Sequence, residues 1–490
     1  MTLNRRLIVG VVIIVCGCES ETRNDDPQMR RSSLFLSRAI GNIAASKDGG
    51  AYYLATKETG DHILEDPNAH GKTEPGTHLR ISRIDVTRST LASSVLSDEG
   101  FAPTEPTVVE SPDGVVFVGT STHLTAKRNR PFVCAVWIDA KGTVTRRRHI
   151  VGDSSVYAMD GASAPDGSVL VGVSHAGELR VQDPGSPDIF EMFGDKVDSA
   201  AYTILRFDSD ANVVSHVTWN DKRDLALDSS QMRIRTHEDG SVSALMLFVT
   251  EHTRGSADDF EWRLAQIDNT KKVLSVTPIW RTINDVEMEA TKDGGVITSL
   301  YVEIGASVLN THGIWRSVDS NFGSDSWSLA LVKSAPSGKT EWVTVSGNWS
   351  RTIVSADIVV SPDDGSIYLA TVFSKSMRIG STGATKELSM KGPENALALI
   401  NIDEKGVVRS AEVLCHPINT IEEMQYIPGG KLALVVASRG PIKFDKKIRA
   451  KHTGILTLTN DGAARLSASA LEIDLMDRKN PWSTPISTSP

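Results

Sequence analysis

Pro362-Asp363-Asp364-Gly365-Ser366-Ile367-Tyr368-Leu369 leads, after a loop, to Ala396-Leu397-Ala398-Leu399-Ile400-Asn401-Ile402-Asp403 and Lys405-Gly406. On this stretch the fold is decided. Asp-Gly favours a tight hairpin turn. The runs that follow are continuously apolar, as in strands covered on both faces. The turn recurs at Lys47-Asp48-Gly49-Gly50, Pro112-Asp113-Gly114, Pro165-Asp166-Gly167, Glu238-Asp239-Gly240, Lys292-Asp293-Gly294 and Pro428-Gly429-Gly430. The second element recurs at Leu79–Asp85, Ala135–Asp139, Ile204–Asp208, Leu264–Asp268, Leu329–Val332 and Ile455–Leu458. Seven copies of two linked features, spaced about 53 to 73 residues apart, make a repeat protein, and the scatter falls almost wholly in one loop.

Each unit supplies four strands, here A to D, with short A–B and C–D turns. Strands B and C are apolar throughout. Strand D is more polar, as in Thr143-Val144-Thr145-Arg146-Arg147-Arg148, and charge on an outermost strand blunts edge-to-edge aggregation without any ligand. Buried middle strands with polar outer edges, repeated radially, predict an all-β, seven-bladed β-propeller of four-stranded antiparallel blades. The blades fall at residues 34–97, 98–151, 152–220, 221–281, 282–347, 348–415 and 416–475, followed by a tail at 476–490. A pair of β-sandwiches would not repeat seven times in phase.

The unit resembles the bacterial seven-bladed-propeller repeat abbreviated SBBP. That pattern runs from Asp-Gly through an apolar strand ending near Gly and an aromatic to an Ala-x-Leu-x-x-Asp-x-x-Gly hairpin with Trp in the last strand. The sixth repeat matches it best, with Phe373 as the aromatic. Gly119 and Gly172 match the family Gly, and Trp219, Trp280 and Trp342 the family Trp. The resemblance covers almost the whole chain after the leader and implies architecture only, since the family shares no reaction.

At the N-terminus, Arg5 and Arg6 precede the apolar run Leu7 to Val15, which is shorter than the roughly 20 residues a bilayer span needs. Val15-Cys16-Gly17-Cys18 resembles the bacterial lipobox, with Cys18 as the acylated residue because the small Gly17 precedes it. This predicts a lipoprotein signal peptide (1–17), a polar tether (18–33) and a palmitate-bearing anchor holding the protein to a membrane on the extracytoplasmic side, at the outer membrane or cell surface. Acids outnumber bases 61 to 52, and removing Arg5 and Arg6 gives 50 − 61 = −11. Such a surface repels phosphate backbones, so no nucleic-acid partner is expected. Cys134 and Cys415 fall in different repeats and read as buried, unpaired thiols.

With A–B and C–D turns on one face, the B–C loops share the other face: 57–77, 122–131, 175–200, 251–260, 304–325, 374–394 and 439–452. Loops on a rigid scaffold are where binding residues gather. The third is acidic (Glu178, Asp183, Asp188, Glu191, Asp195, Asp198) and the seventh basic (Arg439, Lys443, Lys446, Lys447, Arg449, Lys451), and both runs also fit a solvated surface. Six residues before each turn stands a polar residue: Asn42, Thr107, Asp160, Arg233, Glu287, Asp357 and Glu423. Ile43, Val108, Gly161, Ile234, Met288, Ile358 and Met424 follow them. On innermost strands this set forms a ring at the channel mouth. Four carboxylates beside one arginine suit a cation or polar ligand, or else neutralise one another structurally.

Motifs for zinc proteases, serine hydrolases, nucleotide-binding loops and dinucleotide folds are missing from the sequence. Ser174-His175 has the wrong spacing for a nucleophile elbow. Asp208-Ser209-Asp210-Ala211-Asn212 lacks the Gly and Glu of a calcium loop and reads as a turn. The twelve His residues have no metal-ligand spacing. No cofactor or metal is expected. The leading expectation is a non-enzymatic binding or scaffolding module of the cell envelope, with a protein or glycan on the long-loop face. The alternative is an extracytoplasmic hydrolase or lyase using Asp160, Glu287, Asp357 and Glu423, which needs some of these within about 10 Å of one another in a concave pocket. A third reading, assistance in outer-membrane protein assembly, needs an exposed strand edge or groove along a blade.

Overall fold

The computed structural model describes residues 13–14, 39–45, 51–63, 73–85, 90–96, 107–121, 131–153, 155–183, 189–193, 200–220, 231–249, 260–270, 272–281, 286–302, 307–317, 328–346, 353–374, 376–379, 386–389, 395–427, 431–438, 443–444, 450–459 and 465–474. Among them there is no helix. Consecutive strands pair into antiparallel meanders in chain order. The third is typical: Val156–Ser163, Val169–Ala176, Ala200–Phe207 and Val213–Asn220. The same order holds for the sheets that begin at Ala39–Ala45, Thr107–Ser111, Met232–Thr236, Val286–Ala290 and Ile353–Val360.

The residue pattern explains the layering. Every residue of the B strand Ile367–Phe373 is buried, and so are all but one of its C partner Ala396–Ile402. The D strand Val273–Arg281 alternates between intermediate and exposed over its first half. Cores lie between successive sheets. Val171, Val173, Leu205 and Phe207 of the third sheet pack against Val116, Val118 and Trp137 of the second. Trp262, Leu264 and Trp280 of the fourth meet Met288, Val296 and Leu300 of the fifth. Sheets stacked face against face in chain order, with A strands touching A strands, make the fold β-propeller-like. The A strand Ala39–Ala45 touches both Thr107–Ser111 and Thr420–Ile427.

Two features depart from the sequence expectation. In the last sheet, Lys431–Ser438 pairs with Arg465–Asp474, and Ala450–Thr459, which holds Ile455–Leu458, lies outside it. The residue types suit that exchange. Arg465–Asp474 carries the small run Ser467-Ala468-Ser469-Ala470, which fits a covered position, whereas Lys451 and His452 suit an edge. The long B–C connections also do not all stay as loops. Leu179–Gln182 and Ile189–Phe193 add two strands to the outer edge of the second sheet. Ser307–Leu309 and Trp315–Ser317 do the same for the fourth, and Lys443–Phe444 pairs with the outer strand of the sixth.

The leader, Cys18, the tether and the 476–490 tail lie outside the described residues, apart from Ile13–Ile14, which pairs with Ala450–Thr459.

Candidate functional site

The inner strands position the predicted ring by register. Thr107 lies opposite Val118, Asp160 opposite Gly172, Arg233 opposite Leu245, Glu287 opposite Ser299, Asp357 opposite Ala370 and Glu423 opposite Val435, each on an A strand facing its B partner. Asn42 lies within Ala39–Ala45. The side chains of Asn42 and Glu423 are outside the described residues.

Three of the seven, Asp160, Arg233 and Glu287, form ion pairs on neighbouring inner strands. Arg233 clamps Glu287 with Nε and Nη2, each 3.2 Å from a carboxylate oxygen. Asp160 is nearly buried and accepts the Ile234 N–H at 2.8 Å and Arg235 Nη1 at 3.1 Å. Arg235 spans to Glu289, with Nε 2.8 Å from Oε1. Asp357 accepts the backbone N–H of its neighbour Ile358 at 2.7 Å. Thr107 stands apart, its methyl facing the backbone at Gly161.

Arg235 and Glu289 are the members the ring reading missed. They lie two residues beyond Arg233 and Glu287, on the same side of their strands. That row otherwise reads Ala44, Val109, Ala162, Val359 and Gln425, so two charges in it were legible by applying the strand period once more.

Electrostatics separates the acids. Burial alone would push Glu287 up, but Arg233 and Arg235 hold it below the ordinary range. Burial raises Glu289, and the attraction of Arg235 only partly offsets this. Asp357 is pushed up to about 8 by burial and by the Glu287 and Glu289 charges, against the pull of the Ile358 N–H. Burial opposes the charge on Arg235, yet Glu289 and Asp160 raise its pKa above its usual value. No group of three metal-ligating side chains is assembled among the described residues, so a cation held by this ring has no support there.

The other candidates resolve into structural roles. His175 is fully buried, with Nδ1 3.0 Å from the Gly177 carbonyl and Nε2 2.8 Å from Thr203 Oγ1, and burial drives its pKa down to about 4. His237 Nε2 lies 2.7 Å from Ser243 Oγ, which donates to Gln266 Oε1 at 2.8 Å, all three side chains buried. Asp208 accepts the Asn212 N–H at 2.8 Å, so its loop is a turn. Cys134 and Cys415 are buried and in no disulfide, and burial pushes the Cys415 thiol up to about 12. The acidic B–C run is partly spent within the fold, since Asp183 pairs with the buried Arg148 and Glu178 with Arg180.

No family model matches the sequence, and no curated protein matches it. Among solved structures, puromycin hydrolase is similar over 86% of this chain and 53% of its own, at 13% identity and a TM-score of 0.42. Acylaminoacyl peptidase from Pyrococcus horikoshii is similar over 86% and 51%, at 12% identity and 0.39. A subtype N11 neuraminidase-like protein from a flat-faced bat isolate covers 81% and 98%, at 7% identity and 0.36. The chain spans about half the length of the first two. At these scores the likenesses carry no argument, and the propeller-like fold stands on the strand pairings themselves.

Proposed function

We propose that this chain is a lipid-anchored β-propeller of the bacterial envelope, closed from seven blades, that binds a protein partner at its rim without turning over a substrate. Contact of the first inner strand with both the second and the last supports closure, and the SBBP-like repeat supports the count. The leader with Cys18 supports the anchor.

One observation carries the binding reading: recognition surface lies at the rim, while the channel charges are engaged in holding inner strands together. Leu274 and Val276, on the outer strand of the fourth sheet, are 60% and 44% exposed, and Ile314 is 60% exposed. Pairing of Trp280 with Val308 and Arg281 with Ser307 adds the 307–317 hairpin to the outer edge of that strand. At the far end of the same strand the Arg281 guanidinium stacks 4.3 Å from the Trp315 ring centre. Exposed apolar side chains along one outer edge, with an aromatic and an arginine on the same edge, fit a protein-binding margin.

The hydrolase or lyase alternative has one observation in its favour, the raised pKa of Asp357, which keeps a proton near neutral pH as a general acid does. Against it, Arg233 clamps Glu287, and both Asp160 and Asp357 are bonded to backbone amides.

Full-length protein carrying a photo-crosslinking residue at Ile314 or Leu274, expressed in its own cells, separates the two. The binding reading expects one discrete adduct that the exposed control position Lys405 does not give and that Val276→Asp removes, together with release of the protein from membranes in Cys18→Ala. No rim adduct, with glycan or lactone cleavage that Asp357→Asn abolishes, sinks it.

A further inference from the structure

The outer strand Val273–Arg281 carries a one-residue bulge near its end. Thr277 lies opposite Leu264 and Pro278 opposite Arg263, but Trp280 lies opposite Trp262 and Arg281 opposite Glu261, so Ile279 is the extra residue. Facing alternates along a strand, and a bulge re-aims every side chain beyond it. In unbroken register Arg281 would face as Thr277 does, toward the fifth sheet, where Gly338 lies against Thr277. The extra residue turns Arg281 instead onto the face of Pro278 and of the exposed Val276, with Leu274 two residues before.

On that face Arg281 sits between a carboxylate and a ring. Its guanidinium lies 4.3 Å from the ring centre of Trp315, which the 307–317 hairpin carries into place. Glu261 Oε2 is 3.5 Å from Arg281 Nε, and that nitrogen is buried with no hydrogen-bond partner. Glu261 gives its other oxygen to Arg263, whose Nε is 2.8 Å away. The acid is therefore committed to Arg263. Other arginines of the fold are engaged more closely. Arg206 holds Asp166 at 2.8 Å, Arg233 holds Glu287 at 3.2 Å and Arg235 holds Glu289 at 2.8 Å. Among the described residues Arg281 has only the long ion pair and the ring, and its side chain is 35% exposed.

Stacking on an aromatic occupies the face of a guanidinium and leaves its in-plane N–H groups free to form the two parallel bonds that a carboxylate accepts. The ring also fixes the plane, so less side-chain freedom is lost when a ligand arrives. We propose that Arg281, held against Trp315, seats an aspartate or glutamate side chain of the protein that docks on this rim. This rests on the rim-binding reading and adds the chemistry of the partner. The partner presents an acid at Arg281 and apolar side chains to Val276 and Leu274, about 15 Å or more further along the strand.

The test uses the full-length protein with 5-fluorotryptophan in place of tryptophan, the Trp315 fluorine resonance being assigned by its loss in Trp315→Phe. The probes are oligo-glutamate, oligo-glutamine of the same length and an oligogalacturonate of the same charge. Oligo-glutamate should move the Trp315 resonance and the other two should not. Arg281→Lys keeps the charge without the planar fork and should weaken binding about tenfold. Arg281→Gln should abolish it, and Arg146→Gln, on another outer strand, should leave it unchanged. The rim adduct formed through position 314 in cells should fall at least tenfold in Arg281→Gln. Binding that survives Arg281→Gln, equal loss in Arg146→Gln, or a response to the galacturonate alone overturns the carboxylate seat. An adduct as strong in Arg281→Gln as in the wild type overturns the seat and leaves the rim reading standing, whereas absence of any wild-type adduct sinks the rim reading itself, whatever the peptide does. Should Arg281→Gln fail to fold, Arg281→Lys decides alone.

Discussion

Asp403 shows how one side chain makes a turn. Its Oδ1 accepts the N–H of Lys405 at 3.0 Å and of Val407 at 2.9 Å, Asp139 and Asn310 do the same for residues two and four further on, and Asp268 accepts the Thr270 hydroxyl and the Lys272 N–H. Such a closed turn forces its fourth residue to positive φ. At Gly406 the angle is 81°, and an added Cβ would sit 2.8 Å from the Trp342 ring. Gly406→Ala should therefore cost about 2 kcal/mol, one part from left-handed backbone and one from displacing Trp342. Urea unfolding measures it, and a loss below about 0.5 kcal/mol would mean the turn is not closed this way. Ala211 takes the equivalent position in the third repeat at φ 62°. There the methyl is fully buried in the core between the second and third sheets, which offsets the backbone strain. These turns were legible because Asp-x-x-Gly is a local code. Whether a given Asp served the turn or a ligand was decided only by distances.

At the scale of elements, alternation placed the ring but not its chemistry. Polar residues at Asp160, Arg233, Glu287 and Asp357 were readable from spacing, since a strand turns every second residue the same way. Their bonds were not, because Asp160 to Ile234 N and Arg233 to Glu287 join strands from different repeats, and no local pattern records that separation. The hairpins on the outer edges were missed for a related reason. Leu179–Gln182 belongs by sequence to the third repeat and by pairing to the second, Arg180 opposite Val151. Arg148, read as a solvated edge charge, is in fact buried under that hairpin, its Nε 3.0 Å from the Ala211 carbonyl and its guanidinium paired with Asp183. Arg148→Ala should release the hairpin and cost about 2 kcal/mol, through lost packing and an orphaned buried carbonyl. Hydrogen exchange checks it. The amides of 179–182 should lose protection while those of 169–176 keep it, and unchanged protection at 179–182 would show that the strand pairing holds without Arg148.

For the whole molecule, the repeat period carried the architecture. Apolar B and C strands with polar D strands leave face-to-face stacking as the way to bury both faces, and the cores between successive sheets are the result. The last sheet was least legible. Ile455–Leu458 follows the repeat spacing and was read as the inner place, but Leu466–Ile473 is as apolar, and pairing with Lys431–Ser438 falls to it. Charge around the axis is one-sided. It runs over Asp160, Arg233, Arg235, Glu287, Glu289 and Asp357, while the first two inner strands offer Asn42, Ala44, Thr107 and Val109. The most direct measurement is a crystal structure of the purified protein, read for the number of sheets around the axis and for the neighbour of Ala39–Ala45. Seven sheets, with that strand against Thr420–Ile427, are what the account predicts. Six or eight sheets, or a gap between the first and last inner strands, would contradict it.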